Sequence, residues 1–220
     1  MSTTLFDLSS RTALVTGGSR GLGKAMARAL AKAGASVAIS SRHEDELKSA
    51  AAEIGQETHA KVVPLTADLT HRGEVKRLAE GAIAALGKID ILINNAGGNM
   101  PQPIDQITDE VWNYFIELNL SSCMALTRAL VPQMKERKWG RVIHISSIMG
   151  FTSIPERNLY SATKSALLGL ARASALDLGK FGITVNCNRP RTVLNRADIE
   201  EFHGRSAPEV CRPDGVGPLG

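Results

Sequence analysis

The sequence predicts an α/β fold, a doubly wound parallel sheet of the Rossmann type in a single domain. Three observations predict it. Short β-branched or aliphatic runs alternate with longer helical patterns along the chain. Most of the runs are nearly continuously apolar, as strands covered on both faces must be. A glycine-rich turn follows the first run and opens the first helical pattern.

Taken in order, the first strand is Thr12–Thr16, and the turn "TGGSRGLG" leads from it into a helix over Leu22–Ala33 that Gly34 stops. A second strand over Ser36–Ser40 precedes a helix over Glu44–Ile54. A third, Lys61–Leu65, precedes a helix over Gly73–Leu86, with Gly87 at its end. Strands over Ile89–Asn94 and Arg141–Ile145 bracket one long helix over Glu110–Lys138. A final helix, Asn158–Lys180, leads to a strand over Ile183–Asn186. Ligands of such sheets sit beyond the carboxyl ends of the strands, so residues just after each strand are expected to carry function.

Composition bounds the reading. A chain of 220 residues, 43% hydrophobic and 22% charged, fits one domain with a sizeable core. No apolar run is long enough to span a bilayer, and "MSTTLFDLSSR" lacks the basic and apolar stretches of a secretory signal. A cytoplasmic protein without a membrane partner is expected. Net charge is +4, but Lys and Arg are interleaved with Asp and Glu, as in "SRHEDELK", so no nucleic-acid partner is expected. Cys123, Cys187 and Cys211 lie far apart, and the five histidines show no ligand spacing. Neither a metal site nor a disulfide framework is expected.

The glycine turn is the first functional candidate. Glycines allow backbone to approach a pyrophosphate closely, and the helix start behind them offers free N–H groups. Gly17, Ser19, Arg20, Gly21, Leu22 and Gly23 are the candidate contacts, with spacing G-x-x-x-G-x-G. After the second strand, many dinucleotide folds place an acid that binds the adenosine ribose. Here Ser41 and Arg42 stand there, and Arg20 lies in the glycine turn. Two guanidinium groups without a competing carboxylate suit a 2′-phosphate. NADP(H) is therefore expected ahead of NAD(H); two ordinary surface arginines are the alternative.

Three further motifs stand at strand ends: "NNAG" (Asn94–Gly97), "SS" (Ser146–Ser147) and "YSATK" (Tyr160–Lys164). With "TGGSRGLG", and in that order over residues 8–187, the chain resembles the short-chain dehydrogenase/reductase family. Its flavour is similar to 3-oxoacyl-acyl-carrier-protein reductases and to sugar-acid dehydrogenases such as gluconate 5-dehydrogenase. The residues agree chemically. Tyr160 and Lys164 are four apart on a helix and share a face, where an ammonium favours the phenolate. Such a Tyr exchanges a proton with a carbonyl oxygen or an alcohol. The resemblance makes Tyr160 the general acid/base and gives Lys164 bonds to the nicotinamide ribose, with both among the cofactor contacts. It makes Ser147, thirteen residues before Tyr160, the holder of the substrate oxygen. It makes Asn119 the residue that kinks its helix and holds a relay water. It puts Asp68 and Leu69 at the adenine, and Asn95, Ala96 and Gly97 beside the adenosine ribose. It also implies a homodimer or homotetramer, formed through the helices that carry "WNYFIEL" and "ALLGLARASALDL". The expected activity is hydride transfer between NADP(H) and a small-molecule ketone or secondary alcohol. A non-catalytic binding or oligomerising relative is the alternative.

The pattern changes after Cys187. Family members continue "VNC" with a Pro-Gly element that closes over the nicotinamide; here Pro190 alone keeps that register and Arg191 replaces the glycine. With the codon frame advanced by one base from Asn188, "NRPRTVLNRA" permits a family-like continuation, and "VCRPDGVGPLG" does so too. Residues 1–187 are thus read as the dinucleotide-binding catalytic domain. Residues 188–220 are read as an irregular, aberrant tail that a one-base frameshift explains, with the last strand and substrate lid missing. A genuinely divergent tail is the alternative, and the two translations differ in mass.

Overall fold

Residues 6–190 are described by the computed structural model. Six strands run parallel in one sheet: β1 Thr12–Thr16, β2 Ser36–Ser41, β3 Val62–Thr66, β4 Ile91–Asn94, β5 Gly140–Ile145 and β6 Ile183–Asn188. Their order is β3-β2-β1-β4-β5-β6. The chain leaves β1 in one direction and returns at β4 on its other side, which opens a crevice at their carboxyl ends. Pro64 sits in β3, an edge strand, where a missing N–H costs least.

Alternation along the strands divides the core in two. Leu14, Ala38, Leu92 and Val142 point to one face, against α3 (Arg72–Leu86), α5 (Ser122–Glu136) and α6 (Asn158–Gly179). Ala13, Val15, Val37, Ile39, Ile91 and Ile93 point to the other, against α1 (Gly21–Lys32) and α2 (Glu44–Thr58). Burial on both faces is why the strands read as unbroken apolar runs.

One element differs from the sequence pattern. The long helix expected over Glu110–Lys138 is α4 (Asp109–Ile116), a π-helical segment (Glu117–Ser121) and α5. Asn119 lies in the π segment, and its amide is drawn to the backbone of Gly98. Ser122 and Thr127 turn their hydroxyls onto the carbonyls of Leu118 and Cys123, four residues back. Polar side chains that compete for backbone in this way bend helices. The 3.6-residue apolar period runs through the break, so the pattern alone cannot show it.

The last strand also outlasts its sequence pattern. Asn188 pairs opposite Ile145, and the Pro190 carbonyl accepts from the Ile148 N–H at 3.2 Å. A ladder reads backbone, not side chains, so Asn188 extends β6 without an apolar side chain. Residues 191–220, which hold Arg191 and most of the shifted-frame segment, lie outside the described residues, as do residues 1–5.

Candidate active site

The strand ends form the site. At the end of β1, Gly17 has φ +65°, and a Cβ there would lie 2.9 Å from Asn95 Nδ2. At Gly23 a Cβ would lie 2.0 Å from the carbonyl oxygen of Gly17. No side chain fits between turn and helix, so only glycine closes this turn. Arg20 is the N-cap of α1 but donates no cap, and the first turn of α1 holds no acidic residue. The leading N–H groups therefore face outward without an anionic side chain, a cradle that fits a diphosphate. Asn95 sits under the turn, its Nδ2 donating to the carbonyls of Thr16 (2.9 Å) and Gly17 (3.3 Å). Gly21 and Leu22 open α1 itself.

A cleft runs from this turn across the ends of β2 and β3. It is lined by Gly17, Ser19, Arg20, Ser41, Arg42, Leu69, Ala96 and Gly97. Ser40, His43, Ala67 and Leu118 complete the wall. Arg42 Nη1 donates to the Tyr114 hydroxyl at 2.7 Å. Leu69 lines the cleft but Asp68, its chain neighbour, does not; the Asp68 carboxylate accepts from the Thr70 N–H (2.9 Å) and hydroxyl (2.8 Å). Burial pushes the Asp68 carboxyl up; those two bonds, then the charges of Arg42 and His71, outweigh it, and the net shift is downward. With hydroxyls and two guanidinium groups at its mouth and apolar walls behind, the cleft fits the adenosine half of a nicotinamide dinucleotide.

Farther along lie the residues of "SS" and "YSATK". Lys164 is buried; its Nζ donates to the Ile145 carbonyl at 2.7 Å and lies 5.6 Å from the centre of the Tyr160 ring. Burial pushes the Lys164 amine below its ordinary value. The same ammonium and Asn119 Oδ1 converge on Gly97, to within 3.4 and 3.1 Å of where its Cβ would stand. Asn119 accepts from the Gly98 N–H, donates to the Gly98 carbonyl, and reaches Thr163 Oγ1 at 3.2 Å. Thr163 in turn donates to the Tyr160 carbonyl at 2.9 Å. Ser147 starts a short 3-10 turn, its Oγ accepting from the Met149 N–H at 3.2 Å. That bond uses a lone pair and leaves the hydroxyl proton free to donate. Pro190 lies against the same turn through its bond from Ile148. Tyr160 and Lys164 thus share one helical face, and Lys164, Asn119 and Gly97 meet at one point of the crevice.

The family model for short chain dehydrogenase matches residues 11–204, nearly the whole chain and past Cys187. The chain belongs to this family. Nodulation protein G of Rhizobium sp. (strain N33) is 39% identical to this short-chain dehydrogenase over 186 residues, 84% of this chain and 74% of that protein. Among solved structures, L-sorbose reductase from Gluconobacter frateurii, complexed with NADPH and L-sorbose, superposes with a TM-score of 0.86 and is 32% identical. That match covers 89% of this chain and 74% of the other. A 7α-hydroxysteroid dehydrogenase complexed with NADH gives 0.80 and 34%, covering 84% and 72%. The chain is therefore an oxidoreductase of a family that uses a nicotinamide dinucleotide, and its fold is that family's. Among the described residues no helix is long and apolar enough to cross a membrane.

Sequence reasoning misses several members of this short-chain dehydrogenase site. Thr163 lies inside "YSATK" with no signal of its own, although it ties Asn119 to α6. Tyr114 gives no signal either, since its partner Arg42 is 72 residues away in sequence. His144 proves fully buried beneath the site, its Nδ1 3.1 Å from Asn94 Nδ2. Burial, then the nearby Lys164 charge, pushes it down to about 4. Cys123 is likewise buried and pushed up to about 11, an inert thiol.

Proposed function

We propose that the protein transfers hydride between NADP(H) and a small-molecule ketone or secondary alcohol, with Tyr160 as general acid/base. The observation that carries the reading is the buried Lys164 ammonium beside the Tyr160 ring, next to Gly97 at the crevice floor. A bound nicotinamide supplies or accepts the hydride. The chain's own residues handle the substrate oxygen. Ser147 donates a hydrogen bond from its hydroxyl to that oxygen and keeps its own proton. Tyr160 gives it a proton in reduction and takes one back in oxidation. Lys164 brings its Nζ to 5.6 Å from the centre of the Tyr160 ring. Asn119 fixes Gly98 and, through Thr163, the first turn of α6 that carries Tyr160.

Preference for NADP(H) over NAD(H) rests on Arg20 and Arg42 lining the cleft mouth where a ribose-binding acid would otherwise stand. Acyl thioesters and sugar acids both fall within the substrate class. A homodimer or homotetramer would form through the helices that carry "WNYFIEL" (α4 and the π segment) and "ALLGLARASALDL" (α6). We place the protein in the cytoplasm. We read residues 188–220 as the frame-shifted tail, which would impair substrate closure.

The test is NADPH oxidation across a panel of acyl thioester, sugar and sugar-acid carbonyls. Wild type should turn over at least one of them, and Tyr160→Phe should lower kcat by about 100-fold or more with NADPH affinity unchanged. Folded, NADPH-binding protein without turnover on any carbonyl would instead favour the non-catalytic relative.

A further inference from the structure

We propose that Tyr114 is a positioning residue: it holds Arg42 ready for a phosphate on the adenosine 2′-oxygen, and so contributes to the choice between phosphorylated and unphosphorylated dinucleotide. The inference rests on the NADP(H) reading above. Arg42 follows β2 directly and is exposed. Left alone, its long side chain would sample many rotamers and lose that freedom on meeting an anion. Tyr114, on α4, removes much of that freedom beforehand. Its hydroxyl accepts from Arg42 Nη1 at 2.7 Å. The Tyr114 ring stands edge-on against Phe115, centres 5.1 Å apart at 85°, and Phe115 is buried. Tyr114 itself stays partly exposed, its ring steadied by the buried Phe115 beside it.

The chemistry of the holder matters as much as its place. A carboxylate partner would neutralise the guanidinium. A phenol oxygen orients it, leaves its charge intact and occupies one of five N–H donors. The Arg42 charge reaches Asp68, whose carboxylate is taken by Thr70. Arg20 and Ser41 line the same mouth. Two full cations with hydroxyls suit a doubly charged group with three acceptor oxygens. An unphosphorylated ribose offers a guanidinium only neutral hydroxyl acceptors, so Tyr114 should act chiefly on the phosphate.

Calorimetric titration of the full chain with adenosine 2′,5′-bisphosphate and with 5′-AMP reads this without any turnover. Tyr114→Phe removes only the acceptor oxygen and leaves the ring in place. It should weaken the bisphosphate by about three- to tenfold and 5′-AMP by less than about twofold. Arg42→Ala should weaken the bisphosphate by about tenfold or more, and adding Tyr114→Phe to it should cost nothing further. If Tyr114→Phe leaves the bisphosphate affinity unchanged while Arg42→Ala lowers it, the positioning role is wrong and the NADP(H) reading stands. If Tyr114→Phe weakens both ligands equally, its role is structural and the proposal falls. If Arg42→Ala leaves the ratio of the two affinities unchanged, the NADP(H) reading falls and takes the positioning role with it.

Discussion

The glycine turn after β1 and the polar cluster around α6 sit at the same edge of one sheet, yet they are built by opposite means. The turn is made by leaving side chains out. Gly17 and Gly23 let backbone approach backbone to distances that no Cβ permits. The cluster is made by putting polar side chains in. Asn119, Thr163, Lys164, Ser146 and His144 are all buried there. Asn119 spans from Gly98 to Thr163, Lys164 reaches back to Ile145, and Ser146 Oγ donates to the Lys164 carbonyl at 2.7 Å. A steric cradle should fail all at once when a single atom is added. A polar cluster should fail through its titratable members and by degrees. Three measurements put that contrast at risk.

The turn should give the largest response. Gly23→Ala puts a methyl group 2.0 Å from a backbone oxygen, which no rotamer change can relieve. Overpacking of this kind costs about 3 kcal/mol. The turn must shift away from α1, and NADPH affinity should fall by about 100-fold or more, read by fluorescence titration beside the thermal midpoint. Near-normal binding by Gly23→Ala would mean that the cradle is soft and the contrast is mistaken.

The polar half should respond to acid. His144 is fully buried and pushed down to about 4 by burial and then by Lys164, against an ordinary value of 6.5. Between those values the unfolded chain binds a proton that the folded protein refuses. Stability is therefore full above the ordinary value and is lost as pH falls towards the folded one. The loss should reach about 2 kcal/mol between pH ~7.5 and pH ~5. Urea unfolding at those two pH values should show it, and His144→Gln should remove most of the difference even if it lowers stability at neutral pH. An identical acid response in the variant would show that other groups carry it.

The two halves also differ in how far they could be read from the sequence. The inner strands β1, β2 and β4 were legible because both faces of each are covered, and an unbroken apolar run such as Ala13–Val15 records that burial directly. The glycine turn was legible because its constraint is local: the residues that exclude a Cβ, Gly17 and Gly23, lie six apart. The bonds of the polar cluster were not legible, because they join residues far apart in the chain, Asn119 to Thr163 and Lys164 to Ile145. There the motifs supplied the residues by resemblance and the fold supplied their partners. The apolar period hid the π segment at Glu117–Ser121 for the same reason, although the resemblance already made Asn119 a kink residue. The side chain that pulls it out of α-helical register is held by Gly98, 21 residues earlier.

Ser147 is the place where the two principles overlap, and it yields the smallest change in stability. Its oxygen does structural work by accepting from the Met149 N–H. In the proposed reaction its hydroxyl also donates to the substrate oxygen. Ser147→Ala removes both, but the Met149 N–H sits in a half-buried turn at the carboxyl end of β5, where water can replace the lost acceptor. Stability should therefore change by less than about 1 kcal/mol. Turnover should fall by about 100-fold or more, since a donor aimed at the developing charge has no replacement there. Unfolding midpoints and kcat, measured on the same preparation, separate the two. A loss of several kcal/mol with turnover intact would make Ser147 a turn residue and leave Tyr160 without its partner.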